Sequence, residues 1–167
     1  MQLRTAAATT RGGVKDVNQD SCCVLEARSE FGPVALVVVC DGVGGLATGE
    51  LASTYVVNRF AQWFEHALPS YLAYNSEGGR VDISKLEGVW GDLLEGANAR
   101  IAAYGQAHGA RMGTTFSGLL VCQDSCFIGQ VGDSRVYRLR GGTPSPHEGP
   151  DVGAARARHG HAHTRRS

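Results

Sequence analysis

Lysine is almost missing from this chain of 167 residues: Lys15 and Lys85 stand against 14 arginines. An excess of either charge is missing too. Sixteen basic groups balance 16 acidic ones, for a net charge of 0, which argues against nucleic acid as the partner. No apolar run approaches the roughly 18 residues needed to span a bilayer. Residues 1–5 lack the apolar stretch of a secretory leader, so a cytoplasmic protein with no membrane partner is expected. No Cys-x-x-Cys pair occurs. The five cysteines, Cys22, Cys23, Cys40, Cys122 and Cys126, are odd in number and do not interleave with histidine at zinc spacing. Buried, reduced thiols are expected rather than a disulfide framework or a zinc finger. What the chain has in excess is glycine, 23 residues, roughly twice the usual ~7 %. Tight turns, or backbone held close to a ligand, account for such an excess.

The apolar pattern over residues 1–140 alternates between two periods. A first strand is expected over 19–26. Residues 34–40, Val-Ala-Leu-Val-Val-Val-Cys, form a continuous apolar run, as in a strand buried on both faces. A helix is expected over 49–68, with Leu51, Tyr55, Val56, Phe60, Trp63, Phe64, Ala67 and Leu68 at helical spacing and Pro69 as its stop. Residues 69–83 read as a turn-rich connection. The capping-box pattern Ser84-Lys-Leu-Glu87 announces a second helix, its buried stripe running from Leu86 through Trp90, Leu94 and Ala97 to Ile101 and its end marked by Gly105. Strands over 114–122, 125–131 and 135–140 follow, joined by Gln123-Asp124 and Gly132-Asp133-Ser134. Strands joined by short turns predict an α+β fold, antiparallel sheet with helices packed on it.

Residues 141–167 differ in kind. They contain no Leu, Ile, Met, Phe, Tyr or Trp, yet hold four of the six histidines and three of the five prolines. Such a segment buries too little to offset its ordering entropy, so a disordered tail from residue 141 is expected, with residues 1–140 as the domain. His159-Gly-His161-Ala-His163 leaves open a weak metal-binding tail instead. Back-translating residues 144–153 and reading one base later yields, with permitted codon choices, Leu-His-Leu-Thr-Lys-Asp-Gln-Thr-Trp. The arginine-rich composition fits GC-rich coding, in which alternative frames stay open. Sequence from about residue 144 onward is therefore expected to be out of frame.

Several polar residues admit two readings each. Asp41 follows the buried run in Asp41-Gly-Val-Gly-Gly45. A strand-end carboxylate followed by glycines can hold a hard cation, with the Gly42 carbonyl as a second oxygen ligand; a plain Asp-Gly turn explains it equally. Asp20 at the first strand is a ligand or a solvated edge residue. Lys15 is a loop cation within reach of a bound anion or a surface lysine. Asp133 sits in a tight turn with Arg135 as an ion-pair neighbour. Thr114 and Thr115 are most simply β-formers. No Gly-Lys-Ser/Thr follows the glycines, which disfavours a nucleotide P-loop.

Together these pieces carry a resemblance. Gly13-Val-Lys15-x-x-Asn18-Gln-Asp20-Ser21, Val39-Cys-Asp41-Gly-Val-Gly-Gly45-x-x-x-Gly49-Glu50-x-Ala52-Ser53, Met112-Gly-Thr-Thr115 and Val131-Gly-Asp-Ser-Arg-Val-Tyr137 stand in the order found in the PPM, or PP2C-type, metal-dependent serine/threonine protein phosphatases. The chain resembles that family over roughly residues 9–140. The resemblance implies an α-β-β-α sandwich of antiparallel sheets, incomplete here at its C-terminal half. It implies two Mn²⁺ or Mg²⁺ ions bridged by Asp41, with the Gly42 carbonyl on one ion and Asp20 supporting the metal water shell. Asp133 matches the position linked to a third, weaker metal. Lys15 occupies the place of the family's phosphate-gripping arginine, keeping the charge and losing the bidentate fork. Leu46 stands where many relatives have histidine. The implied reaction is in-line attack of a metal-activated water on phosphoserine or phosphothreonine in proteins, opposing a Ser/Thr kinase, with no phosphoenzyme.

The Leu-Thr-x-Asp segment and the later aspartates that complete the family's binuclear site have no counterpart here, for Asp151 is the only aspartate after Asp133. An inactive chain with exposed apolar sheet faces is therefore expected. The alternative is a pseudophosphatase that binds phosphopeptides or partner proteins without hydrolysis.

Overall fold

A computed structural model describes residues 2–13, 16–44 and 48–147. Nine strands and three helices follow in the order β1 (Asp20–Ser29), β2 (Gly32–Gly44), α1 (Thr48–His66), α2 (Leu68–Tyr74), β3 (Ser76–Glu77), β4 (Arg80–Val81), α3 (Leu86–Ala107), β5 (Met112–Thr114), β6 (Phe116–Cys122), β7 (Ser125–Val131), β8 (Val136–Arg140) and β9 (Thr143–His147). Strands β1-β2-β6-β7 form an antiparallel sheet in that order, with β5 continuing it beside the end of β2. The helices α1 and α3 cover one face.

The strand β2 shows how one sequence serves two faces. Val34, Leu36, Val38 and Cys40 are at most 1 % exposed, whereas Val39 is 44 % exposed. The first set points to the helices, where Phe60 and Trp63 of α1 and Trp90 of α3 meet Phe116 and Phe127 of the sheet. Trp90 is wholly buried and makes edge-on contacts with four rings at centroid distances of 5.1–6.0 Å. Gly118 lies beneath it, and a Cβ there would collide with Trp90 and Phe116. The other set faces away from the helices, with Cys22, Val24, Val37 and Val39 on adjacent strands in register. One helix layer and one sheet are thus in place, which is half of an α-β-β-α sandwich. No helix among the described residues is long and apolar enough to cross a membrane.

The sequence pattern placed the large elements and missed smaller ones. The connection over 69–83 holds a short helix and a hairpin. α1 stops at His66, and Pro69 sits in the first turn of α2, where its missing N–H leaves no bond unmade. Gln123 pins the hairpin: its Oε1 accepts from Val81 N at 3.1 Å and its Nε2 donates to Gly79 O at 2.8 Å. The capping box does not form. Lys85 is the N-cap, with no side-chain cap bond, because Ser84 N donates to Asp82 Oδ1 at 2.9 Å. The expected strand over 114–122 is divided at Thr115 into β5 and β6. β8 leaves the main sheet and pairs with β9. The boundary expected at residue 141 therefore falls inside a hairpin turn, since 143–147 form a strand. The rest of the expected tail, with the histidine run and most of the out-of-frame reading, lies outside the described residues.

The thiols are free. Cys40 and Cys122 are buried, Cys22 and Cys23 half-buried, and Cys126 is exposed, a departure from the all-buried expectation. Cys126 alternates outward on β7, which among the described residues has no strand beside its other edge.

Candidate active site

Antiparallel register decides which polar residues meet. Asp20, the first residue of β1, is the Cα partner of Asp41 near the end of β2. Residues directly opposite on an antiparallel pair project to the same face, their Cβ atoms about 5 Å apart. Asp20 and Asp41 are both exposed, on the face away from the helices. Two carboxylates so placed repel each other, and a cation between them relieves the repulsion.

The backbone beneath Asp41 is held from the opposite side. Asp41 N donates to Thr115 Oγ1 at 3.0 Å, and Thr115 N donates back to Asp41 O at 2.9 Å. Thr114 Oγ1 donates to the same carbonyl at 3.0 Å. Thr115 Oγ1 also shares a 2.9 Å hydrogen bond with Ser134 Oγ, which ties the Gly132-Asp133-Ser134 turn to the Asp41 strand. Gly132 has φ +95°, and a Cβ there would sit 2.9 Å from Thr115 Cγ2. The turn therefore closes onto Thr115, and Asp133 comes to the same end of the sheet as Asp41. Asp133 itself is exposed.

Gly42 and Gly49 solve a packing problem. Gly42 N donates to Gln19 O at 3.1 Å, and the Gly42 carbonyl lies against Gly49 at the start of α1. A Cβ on Gly42 would collide with the Gly49 carbonyl, and one on Gly49 would lie 2.9 Å from Gly42 O. Ser53, fully buried one turn on, donates to Gln19 O at 2.7 Å and bonds to Ser21 Oγ at 2.9 Å. Gly49, Ala52 and Ser53 thus dock α1 directly beneath the Asp20–Asp41 pair.

A polar cleft of about 310 Å³ opens over this pair, lined by Thr10, Arg11, Asn18, Asp20 and Asp41 among others. Arg11 Nη1 donates to Asp16 O at 3.4 Å, which holds the guanidinium over the loop. Lys15 and Leu46 lie outside the described residues. Behind the cleft, burial pushes the Cys40 thiol up to about 12, with the neighbouring Cys23 adding to it against a Thr114 hydrogen bond. A thiolate at this position is thereby excluded at neutral pH.

Residues 9–158 match the family model for protein phosphatase 2C. The chain belongs to the protein phosphatase 2C family. It is 31 % identical over 142 residues to serine/threonine protein phosphatase PstP of Mycobacterium tuberculosis, an alignment covering 84 % of this chain and 23 % of that protein. Over 134 residues it is 26 % identical to serine/threonine phosphatase stp of Listeria monocytogenes, covering 79 % of this chain and 48 % of the relative. Among solved structures, the catalytic domain of PstP in complex with two manganese ions superposes with a TM-score of 0.59 at 30 % identity, over 84 % of this chain and 53 % of that one. Stp1 from Staphylococcus aureus superposes at 0.66 and 26 % identity, over 87 % and 54 %. This protein phosphatase 2C chain therefore spans about half the length of such catalytic domains, and less of full-length PstP.

The residues present fit a divalent ion only in part. Among the described residues no group of three or more His, Cys, Asp or Glu side chains gathers to hold a metal. Asp20 and Asp41, with backbone oxygen and water, suit one side of a hard cation that takes about six oxygens. They do not make a binuclear site. Sequence reading gave the carboxylates and took Thr115 for a β-former, although its hydroxyl finds its partner 74 residues away. It passed over Arg11, for which being next to a glycine pair was the only signal.

Proposed function

We propose that this chain carries the first half of a metal-dependent protein serine/threonine phosphatase site, acting on phosphoserine and phosphothreonine in proteins and opposing a Ser/Thr kinase in the cytoplasm. The observation that carries this reading is the cross-strand pairing of Asp20 with Asp41 beneath a polar cleft with a guanidinium on its wall, in a member of the 2C family. Mn²⁺ or Mg²⁺, when bound, supplies the acidity that turns water into a nucleophile at neutral pH. Asp41 would bridge two such ions, Asp20 would hold the water shell of one, and the Gly42 carbonyl would face an ion from the strand end. Asp133 would serve a third, weaker ion. Lys15 and Arg11 would draw in the phosphate dianion; the guanidinium offers the planar fork that Lys15 lacks.

Four positive charges on two ions meet only two carboxylates here, so the metals and the attacking water are not held in place by these residues alone. Positioning and electrostatic stabilisation each supply several kcal/mol in such reactions, about tenfold per 1.36 kcal/mol. On this reading the 167-residue chain is inactive by itself. The test is p-nitrophenyl phosphate hydrolysis at millimolar Mn²⁺. The chain should show no turnover above its Asp41→Asn variant, and the frame-corrected chain should be active until Asp41 is changed to Asn. Equal metal-dependent turnover by the short and extended chains would refute the need for the second half. An inactive extended chain that still binds a phosphopeptide would favour the pseudophosphatase reading.

A further inference from the structure

A second concavity lies away from the carboxylate pair, on the helix layer. Between the first half of α1 and the last half of α3, with β5 as its floor, the fold encloses a cleft of about 600 Å³. Leu51, Tyr55, Ile101, Tyr104 and Met112 form its walls, and Arg100 stands among them. Leu51 and Tyr104 are 48 % and 45 % exposed, a large apolar surface for two neighbouring helices to leave uncovered. The cause is visible in the packing. The rings that bring α1 and α3 together, Phe60, Trp63 and Trp90, lie at the other end of the helix pair. At the open end Ala103 is the smallest side chain on the lining, and it leaves unfilled the space a large side chain would have taken.

Among the described residues that line the cleft, Arg100 alone is charged. The ion pairs of His66 with Glu65 and of Arg80 with Asp124 lie elsewhere, and no acidic side chain lines the cleft beside it. The chain's own end does not complement this surface. Residues 148–167 have four arginines against two acids and no large apolar side chain, so they would bring like charge and little to bury. The volume is that of small-molecule sites, roughly 300–1,000 Å³, whose pattern is apolar walls with a few placed polar groups.

The geometry points to a binding site for a small anionic amphiphile, an apolar body carrying one carboxylate, with the chain against Leu51, Tyr55, Ile101 and Met112 and the head group on Arg100. The site is separate from the carboxylate cleft and does not depend on phosphatase activity.

Decanoate is the probe, followed by titration calorimetry on the full chain, with n-decanol as the uncharged arm. Decanoate should bind once, saturably, and tighter than about 1 mM. Arg100→Gln, a change at an exposed position, should weaken decanoate about tenfold, the size of one charge-assisted hydrogen bond, and leave n-decanol unchanged. Ala103→Trp should abolish both by filling the cleft. Val39→Lys, on the bare face of the sheet, should alter neither. Far-ultraviolet circular dichroism establishes that each variant is folded. Absence of saturable binding, equal affinity in Arg100→Gln, or loss of binding in Val39→Lys would each overturn the proposal, the last by moving the ligand to the sheet.

Discussion

The two faces of the main sheet are made from the same strands, alternate residue by alternate residue, and they have opposite characters. Toward the helices, Leu36, Val38, Cys40, Phe116 and Leu120 are at most 1 % exposed. Away from them, Val39 is nearly half exposed, and the same face ends in Asp20 and Asp41. The difference teaches a division of labour. The covered face supplies the burial that holds β2 in place, and the bare face carries the Asp20–Asp41 pair open to solvent. Because side chains alternate, Cys40 and Asp41 are adjacent in sequence and belong to different halves of this arrangement.

The largest expected effect breaks the comparison on its stable side. Trp90→Ala removes the ring that joins α1, α3 and the sheet and should destabilise by about 3–5 kcal/mol, read as a lower urea midpoint. Next, Gly49→Ala places a methyl against the Gly42 backbone and should destabilise by about 1–3 kcal/mol through overpacking. It should also weaken Mn²⁺ binding, since the strand end would shift. Thr115→Val keeps the shape and removes the hydroxyl shared by Asp41 N and Ser134. A loss of about 1–3 kcal/mol is expected, with Thr115→Ser restoring most of it. An unchanged midpoint in Thr115→Val would show that the Asp133 turn is held by something else.

A smaller effect concerns pH. The Cys40 thiol is raised from 9.0 to about 12 by burial. Its unfolded form loses the proton first, so the stability it contributes is whole below pH 9 and declines as the pH climbs from there toward 12. Urea midpoints should fall over that window, and less in Cys40→Ala measured against its own value at pH 8. Below pH 9, Ellman's reagent should find Cys126 at once and Cys40 only on unfolding. The smallest effect belongs to the bare face: Val39→Thr should change stability by no more than about 0.5 kcal/mol.

How much of this was legible in the sequence depends on the range of the interactions. Asp41 and Gly42 stood out because a buried run ending in a carboxylate and glycines is a local pattern. Asp20 needed the family motif, since its meeting with Asp41 is a matter of strand register. Thr115 was read as a β-former because nothing near it in sequence hints at the Asp41 amide or at Ser134. The second helix was placed from its stripe, and its expected cap failed because Asp82 competes for the Ser84 amide. β9 was missed because Thr143-Pro-Ser-Pro-His147 has two prolines and no large apolar residue; among the described residues it pairs with β8 alone, and an edge strand tolerates both. Its backbone pairing follows from the turn at Gly141-Gly142, both with positive φ.

The chain has two tryptophans, and both belong to one aromatic cluster, their rings 6.0 Å apart. Among the described residues the buried indole N–H of Trp90 has no hydrogen-bond partner. An indole in such a place emits toward the blue and is hidden from quenchers dissolved in water. Intrinsic fluorescence of this protein is therefore a clean reporter of whether the helices are seated on the sheet. It is silent about what happens on the opposite side, so a metal or phosphate arriving there has to be watched by other means.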